Sequence, residues 1–155
     1  MKNINLKKIK SFEIDHRKIK KGMYISRIDG DITTYDIRMV VPNSGEYMDT
    51  DGLHTFEHLF ATFMRSSDYS EHVIYIGPMG CRTGFYLLMR STSNETAIDL
   101  VKKAMDFISD FAGDIPGATE KECGNYKEHN LTKAKSYART MKKVLENYSA
   151  EMLKY

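Results

Sequence analysis

The chain has 155 residues, 28% of them charged and 41% hydrophobic, with 23 basic against 21 acidic side chains and a formal net charge of +2. That length is one domain's worth and buries roughly 68–70% of the unfolded surface, so a core forms without staples. The composition excludes a disordered chain, no stretch approaches the ~18 apolar residues of a membrane span, and the charge balance gives no general pull toward nucleic acid.

The start, MKNINLKKIK, lacks the apolar centre of an export signal. With only two cysteines, Cys81 and Cys123, this points to a reducing cytoplasm in which both thiols stay free for chemistry or for a metal. Residues 1–10 read as a basic, solvated N-terminal arm; it lacks the aromatic interleaving of an RNA-binding segment.

Short alternating pieces at 11–14 and 23–28 suit strands, and Asp29-Gly30-Asp31 is a turn signal between strands. Residues 32–41 carry β-branched and aromatic side chains and read as a strand closed by Pro42. A polar loop over 43–52 precedes a helix over 53–65, whose Leu53, Phe56, Leu59, Phe60, Phe63 and Met64 follow three-four spacing. Strands are expected at 73–76 and 85–90, around the turn-rich GPMGCRTG. Thr92 and Glu95 fit a capping box for a helix over 95–112, ended by Gly113.

Thr119 and Glu122 fit a second capping box, for a short helical turn carrying Cys123. Asn130 suits the N-cap of a last helix with a stripe of Ala134, Tyr137, Met141, Val144, Leu145, Tyr148 and Met152. Strands in a run, then as a pair between helices, predict an α+β fold. Its sheet is antiparallel or mixed, with helices packed on one face of a single domain.

The helix over 53–65 carries His54-Thr55-Phe56-Glu57-His58, an H-x-x-E-H motif. At about 100° and 1.5 Å per residue, the two imidazoles lie one turn apart on one face and can meet one metal ion. Glu57 lies about 60° to one side, close enough to act on something held there without ligating. Taking His54 as zero, Ala61 and Arg65 fall within about 20° of it, opposite the apolar residues. A pair of surface histidines is the plain alternative.

Two imidazoles leave a tetrahedral site needing a third protein ligand, with one position open. Cys123 is a natural candidate that spacing alone does not fix; His16, His72 and His129 are the other histidines. A His-His-Cys set suits Fe(II), Zn(II) or Co(II) alike. Cys81 sits among glycines that let the backbone approach a ligand, beside an Arg82 that favours thiolate; a buried, inert turn cysteine is the alternative.

Taken together, SFEIDH (11–16), YDIRMVVPN (35–43), HTFEHLFATFMRS (54–66), GPMGCRTGFY (77–86) and IPGATEKECG (115–124) resemble the S-ribosylhomocysteine lyase (LuxS) family, in its order and spacing over nearly the whole chain. The resemblance implies His54, His58 and Cys123 as metal ligands and Glu57 and Cys81 as acid/base residues. It implies Arg38 against the cysteine and the sugar, and Ser11, His16 and Arg65 at the substrate, partly from a second subunit. It further implies a homodimer with interfacial active sites, one divalent metal per subunit with ferrous iron expected, and a bacterial signalling precursor as product. Two departures stand out: Tyr75 replaces a usual acidic residue near the substrate's amino-acid end, and Gly77 replaces a serine.

The implied reaction shifts a carbonyl along the sugar and expels a thiolate, removing protons beside a carbonyl. A divalent ion eases this as a Lewis acid, and two positioned acid/base groups contribute about 10²–10⁴-fold each. Two alternatives keep the same motif. An inverted-motif metallopeptidase would use Glu57 as base and Glu120, Glu122 or Glu128 as third ligand, leaving Cys81 without a task. A metal-stabilised binding module would close the site with four protein ligands.

Overall fold

In a computed structural model, which describes residues 4–155, four strands form one antiparallel sheet: β1 (Gly22–Asp29), β2 (Ile32–Arg38), β3 (Val73–Pro78) and β4 (Gly84–Arg90), in the order β1-β2-β4-β3. Gly30, with φ +60°, makes the tight turn of the β1–β2 hairpin, as the Asp-Gly-Asp signal predicts. The helices are α1 (Lys10–Glu13), α2 (Thr50–Arg65), α3 (Asn94–Asp110) and α4 (Leu131–Val144). The expected α+β class is the class the chain adopts, and the sheet is wholly antiparallel.

Strand alternation sorts the side chains onto two faces. Met23, Tyr35, Ile37, Phe85, Leu87, Met89 and Ile76 point to one face and join Phe56, Leu59, Phe60 and Met64 of α2 in the core. Helices α3 and α4 complete it with Val101, Met105, Ile108, Ala138 and Met141. Phe56 lies 5.0 Å from the Phe85 ring, so α2 sits directly on the sheet. The alternate residues Tyr24, Asp36, Arg38, Tyr75, Tyr86 and Leu88 face the other way. On that far side lie α1 and the last residue, Tyr155, whose ring stacks on Tyr24 at 4.9 Å.

Several local expectations are corrected. Residues 11–14 are not a strand: Ser11 and Glu13 lie in the single turn of α1, with Phe12 N–H donating to Ile9 C=O. Of the basic arm, residues 1–3 lie outside the described residues; 4–9 have no regular structure and are exposed. Strand β2 stops at Arg38, because Met39 and Val40 both turn their N–H groups to Thr83 C=O. Helix α2 begins three residues early, at Thr50.

The cap of α3 is Ser93, which accepts from Thr96 N–H, while Thr92 bonds back to Arg90 C=O. The Thr119–Glu122 pair forms a turn without a helix: Glu122 and Cys123 N–H both reach Thr119 C=O. Asn130 does cap α4, accepting from Lys133 N–H. That helix ends at Val144, so Tyr148 lies beyond it; Tyr148 Oη accepts from Met23 N–H and donates to Met23 C=O at the β1 edge.

Candidate functional site

The first turns of α2 are anchored by α4. Asp51 accepts from Lys133 Nζ at 2.9 Å and from Asn130 Nδ2 at 3.2 Å, and Gly52 is the only residue type that clears Lys133 Cβ and the Tyr137 ring. The long connection between α3 and α4 is thereby brought over the polar face of α2. There the Nε2 atoms of His54 and His58 lie 3.4 and 3.9 Å from Cys123 Sγ. Two ligands of one tetrahedral ion, a nitrogen and a sulfur, are separated by roughly 3.5 Å.

Each imidazole is aimed by its other nitrogen. His54 Nδ1–H donates to Glu128 C=O at 2.8 Å, and His58 Nδ1–H donates to Pro116 C=O at 2.7 Å. Backbone acceptors fix the tautomer and leave both Nε2 lone pairs facing inward, as in metal-bound histidines. Cys123 Sγ accepts from Asn125 N–H at 3.4 Å. Cys123, which spacing alone left open as third ligand, lies beside the two histidines.

A fourth group joins them. The ligand atoms of His54, His58, Cys123 and His129 all lie within 4.8 Å of one another, and this cluster could hold a metal ion. His129 stacks on His54 at 4.1 Å and meets His58 edge-on at 4.8 Å. Burial, and then the neighbouring His54 and His58, hold its imidazole below the ordinary range. Sequence reasoning named His129 only among the remaining histidines; its position six residues after Cys123, just before the Asn130 cap, was the available signal.

Two of the three carboxylates named for a peptidase site are otherwise engaged. Glu122 accepts from Thr119 Oγ1, and Glu128 accepts from Asn125 Nδ2. Neither they nor Glu120 belongs to the cluster. Glu57 is half-buried on α2, on the histidine side of the helix. Arg65 lies about 16 Å along the axis from His54, three turns on, and donates from Nη2 to Ile74 C=O at 3.2 Å.

The other sequence-derived residues assemble on the far face of the sheet. Arg38 is 2% exposed and Asp36 1%. The guanidinium binds Asp36 in a two-pronged pair, with Nε–Oδ1 3.1 Å, and donates from Nη1 to Thr83 Oγ1 at 2.8 Å. Thr83 Oγ1 is 3.1 Å from Cys81 Sγ. Tyr155 Oη donates to Asp36 Oδ2 at 2.7 Å, closing a chain Tyr155–Asp36–Arg38–Thr83–Cys81. Burial, followed by the Asp36 charge, pushes the Tyr155 phenol well up.

Cys81 is exposed at a turn closed by Arg82 N–H to Met79 C=O. Arg82 holds a left-handed φ of +60°, a conformation costing about 1–3 kcal/mol in a non-glycine residue. Its guanidinium lies over Tyr47, 4.2 Å from the ring centroid, so Arg38 through Thr83, not Arg82, is the cation linked to the thiol. His16 and Cys81 line one cleft of about 250 Å³ with Asn43, Glu46 and Thr83. Ser11 lies near Tyr86 on this face. Ser11, His16, Arg38 and Cys81 thus share one side of the sheet; His54, Glu57, His58, Arg65 and Cys123 share the other.

The two departures at 75 and 77 prove to be one feature. Tyr75 is 53% exposed, and its ring covers Gly77 so closely that any Cβ there would collide with it.

An α+β chain with a His/Cys cluster able to hold a metal, and a separate exposed thiol wired to a buried arginine, has the parts of a metal-dependent enzyme. Its sequence is 45% identical to an S-ribosylhomocysteine lyase of Clostridium acetobutylicum over 97% of this chain and 99% of that one. It is 46% identical to that of Finegoldia magna and 44% to that of Borreliella burgdorferi, again over 97% and 99%. The profile of the family described as S-ribosylhomocysteinase (LuxS) matches residues 9–151, and the chain belongs to that family.

Proposed function

We propose that this chain is a carbon–sulfur lyase that cleaves S-ribosylhomocysteine to homocysteine and 4,5-dihydroxy-2,3-pentanedione, the autoinducer-2 precursor used in quorum sensing. The observation that carries the reading is the convergence of His54 Nε2, His58 Nε2 and Cys123 Sγ, with both Nδ1 atoms committed to backbone carbonyls. These residues fit a soft-to-borderline divalent ion, with Fe(II) expected and Zn(II) or Co(II) as substitutes. Bound there, the ion supplies Lewis-acid stabilisation of negative charge on a sugar oxygen.

The chain's own groups handle the protons. Cys81, beside Thr83 and through it Arg38, takes and returns protons at the C1–C2 end of the sugar. Glu57 serves the later transfers and the β-elimination, in which the C–S bond breaks and homocysteine leaves as its thiolate. Ser11, His16, Arg38 and Arg65 bind and orient the substrate.

The thiol group and the metal cluster lie on opposite sides of one sheet, so each half of the machinery is served by a separate surface. A homodimer that sets the far face of one copy against the histidine side of its partner completes two equivalent sites. Exposed Ile4, Leu6, Ile9, Phe12, Tyr47 and Tyr75 supply apolar surface for that pairing. Among the described residues, no helix is long and apolar enough to cross a membrane, and we place the enzyme in the cytoplasm as a single lyase domain over residues 1–155.

The test is anaerobic purification, metal analysis and detection of released thiol from S-ribosylhomocysteine. Cys81→Ala is expected to keep the metal and lose thiol release. Normal release from that variant would overturn the role of Cys81, and peptide hydrolysis by the intact protein would favour the metallopeptidase instead.

A further inference from the structure

Arg82 stands next to the catalytic thiol, yet its charge is spent elsewhere. The connection between β3 and β4 folds back on itself, with Met79 N–H donating to Gly84 C=O at 2.8 Å and Arg82 N–H to Met79 C=O at 2.9 Å. Arg82 follows that turn at φ +60°, a left-handed position that favours glycine, and the chain places a long cationic side chain there instead. The base of the turn is pinned, because Gly84 packs so closely on β2 that a Cβ would collide with Ile37 C=O. The tip is open: a Cβ at Gly80 would meet nothing within 4 Å. Arg82 ties this tip down. Met48 N–H donates to Arg82 C=O at 2.9 Å, Arg82 Nη1 donates to Met48 C=O at 3.4 Å, and the guanidinium covers the Tyr47 ring at 4.2 Å.

These contacts join the two segments that make the thiol cleft. Asn43, Glu46 and Tyr47 line it from one segment, and Cys81 and Thr83, the chain neighbours of Arg82, line it from the turn. Asn43 also has a left-handed φ, +59°, so two of the three non-glycine residues with such a φ among the described residues stand at this cleft. Strained backbone of this kind persists where the surroundings over-determine it, and it clusters at functional sites. We infer that Arg82 is a positioning residue: it clamps the Cys81 turn to the 42–48 segment and so fixes where the thiol stands against the substrate. This rests on the reading of Cys81 as a proton carrier. A planar guanidinium stacks on a ring and donates within its own plane at once, a pairing that a lysine ammonium does not reproduce.

The experiment compares the full chain with Arg82→Gly and Arg82→Gln at equal metal content, by amide hydrogen exchange, melting and thiol release from S-ribosylhomocysteine. Both variants lose the stack on Tyr47, and only glycine also relieves the left-handed backbone. Met48 N–H, which donates to Arg82 C=O, should exchange at least about tenfold faster in both. Both should lose about 10–100-fold in kcat with KM within about threefold, because a catalytic group misplaced by about 1 Å costs on that order. Arg82→Gly should nevertheless melt no lower than the parent, whereas Arg82→Gln should melt below it. Tyr47→Phe, which keeps the ring, should match the parent in Met48 exchange, and Tyr47→Leu should match Arg82→Gly. Parental Met48 exchange or parental kcat in Arg82→Gly overturns the inference. A loss of kcat confined to Arg82→Gln overturns it too, since activity would then follow stability alone. Absence of thiol release from the parent overturns the lyase reading instead, and Met48 exchange then decides the clamp by itself.

Discussion

Replacing Asp36 by Asn removes one charge from the least solvated ion pair among the described residues while keeping its size. The guanidinium of Arg38, 2% exposed, then stays buried without its counter-charge. Breaking one side of a buried pair costs about 3–5 kcal/mol, because the desolvated survivor is left uncompensated. Tyr155→Phe is the internal yardstick: it deletes only the 2.7 Å bond to Asp36 Oδ2, and Tyr155 is 45% exposed, so about 1 kcal/mol is expected. For a chain of this length each kcal/mol lowers Tm by about 2–4 °C, so Asp36→Asn should melt about 6–20 °C below the parent. Urea unfolding at fixed protein concentration, with metal content held equal, measures both variants. If the two variants lie within about 1 kcal/mol of each other, the pair is solvated in solution and the reasoning fails.

Cys123→Ala should lose metal by elemental analysis, as should His54→Ala and His58→Ala; full metallation of any of the three would remove that residue from the ligand set. Tyr148, half-buried against Met23, has its phenol pushed up to about 12, first by burial. The folded state thus holds that proton more tightly than the unfolded chain, so its stability contribution is intact below about pH 10 and fades as pH rises toward 12. Allowing for its exposure, the loss is at most about 2 kcal/mol, and Tyr148→Phe should flatten that part of the alkaline stability curve. Gly77→Ser should displace the Tyr75 ring and change KM for S-ribosylhomocysteine, and a double-mutant cycle with Tyr75→Asp should show coupling above about 0.5 kcal/mol; additive effects would separate the two positions. Ser93→Ala should cost about 1 kcal/mol by calorimetry and Thr92→Ala much less, because Ser93 is the cap of α3.

Elements with strong periodicity were legible in the sequence. The three-four spacing of α2 and the Asn130 cap put His54, His58 and the start of α4 where they are, because amphipathic spacing is set by the same burial that packs the helix. Residues 11–14 misled because alternation over four residues fits a strand or a turn of helix, and no sheet partner reaches them. Thr92 and Ser93 are adjacent hydroxyls that can each cap a helix, serine somewhat the better, and the entry angle of the chain chooses between them.

His129 stayed hidden for a different reason. Its place depends on two hydrogen bonds at Thr55 that join residues 74–75 apart in the chain, and no local pattern encodes such a meeting. The division of the machinery between the two sheet faces was likewise invisible until strand register fixed which way Arg38 points. The linked departure at Tyr75 and Gly77 could have been suspected from their i, i+2 spacing on one strand face.

Both borders of the sheet are stoppered. On the β1 side the Tyr148 hydroxyl occupies the N–H and C=O of Met23, and on the β3 side Arg65 takes the carbonyl of Ile74 where the ladder skips a residue. Growth by adding further strands is obstructed at each rim, which keeps one sheet from extending edge to edge into another.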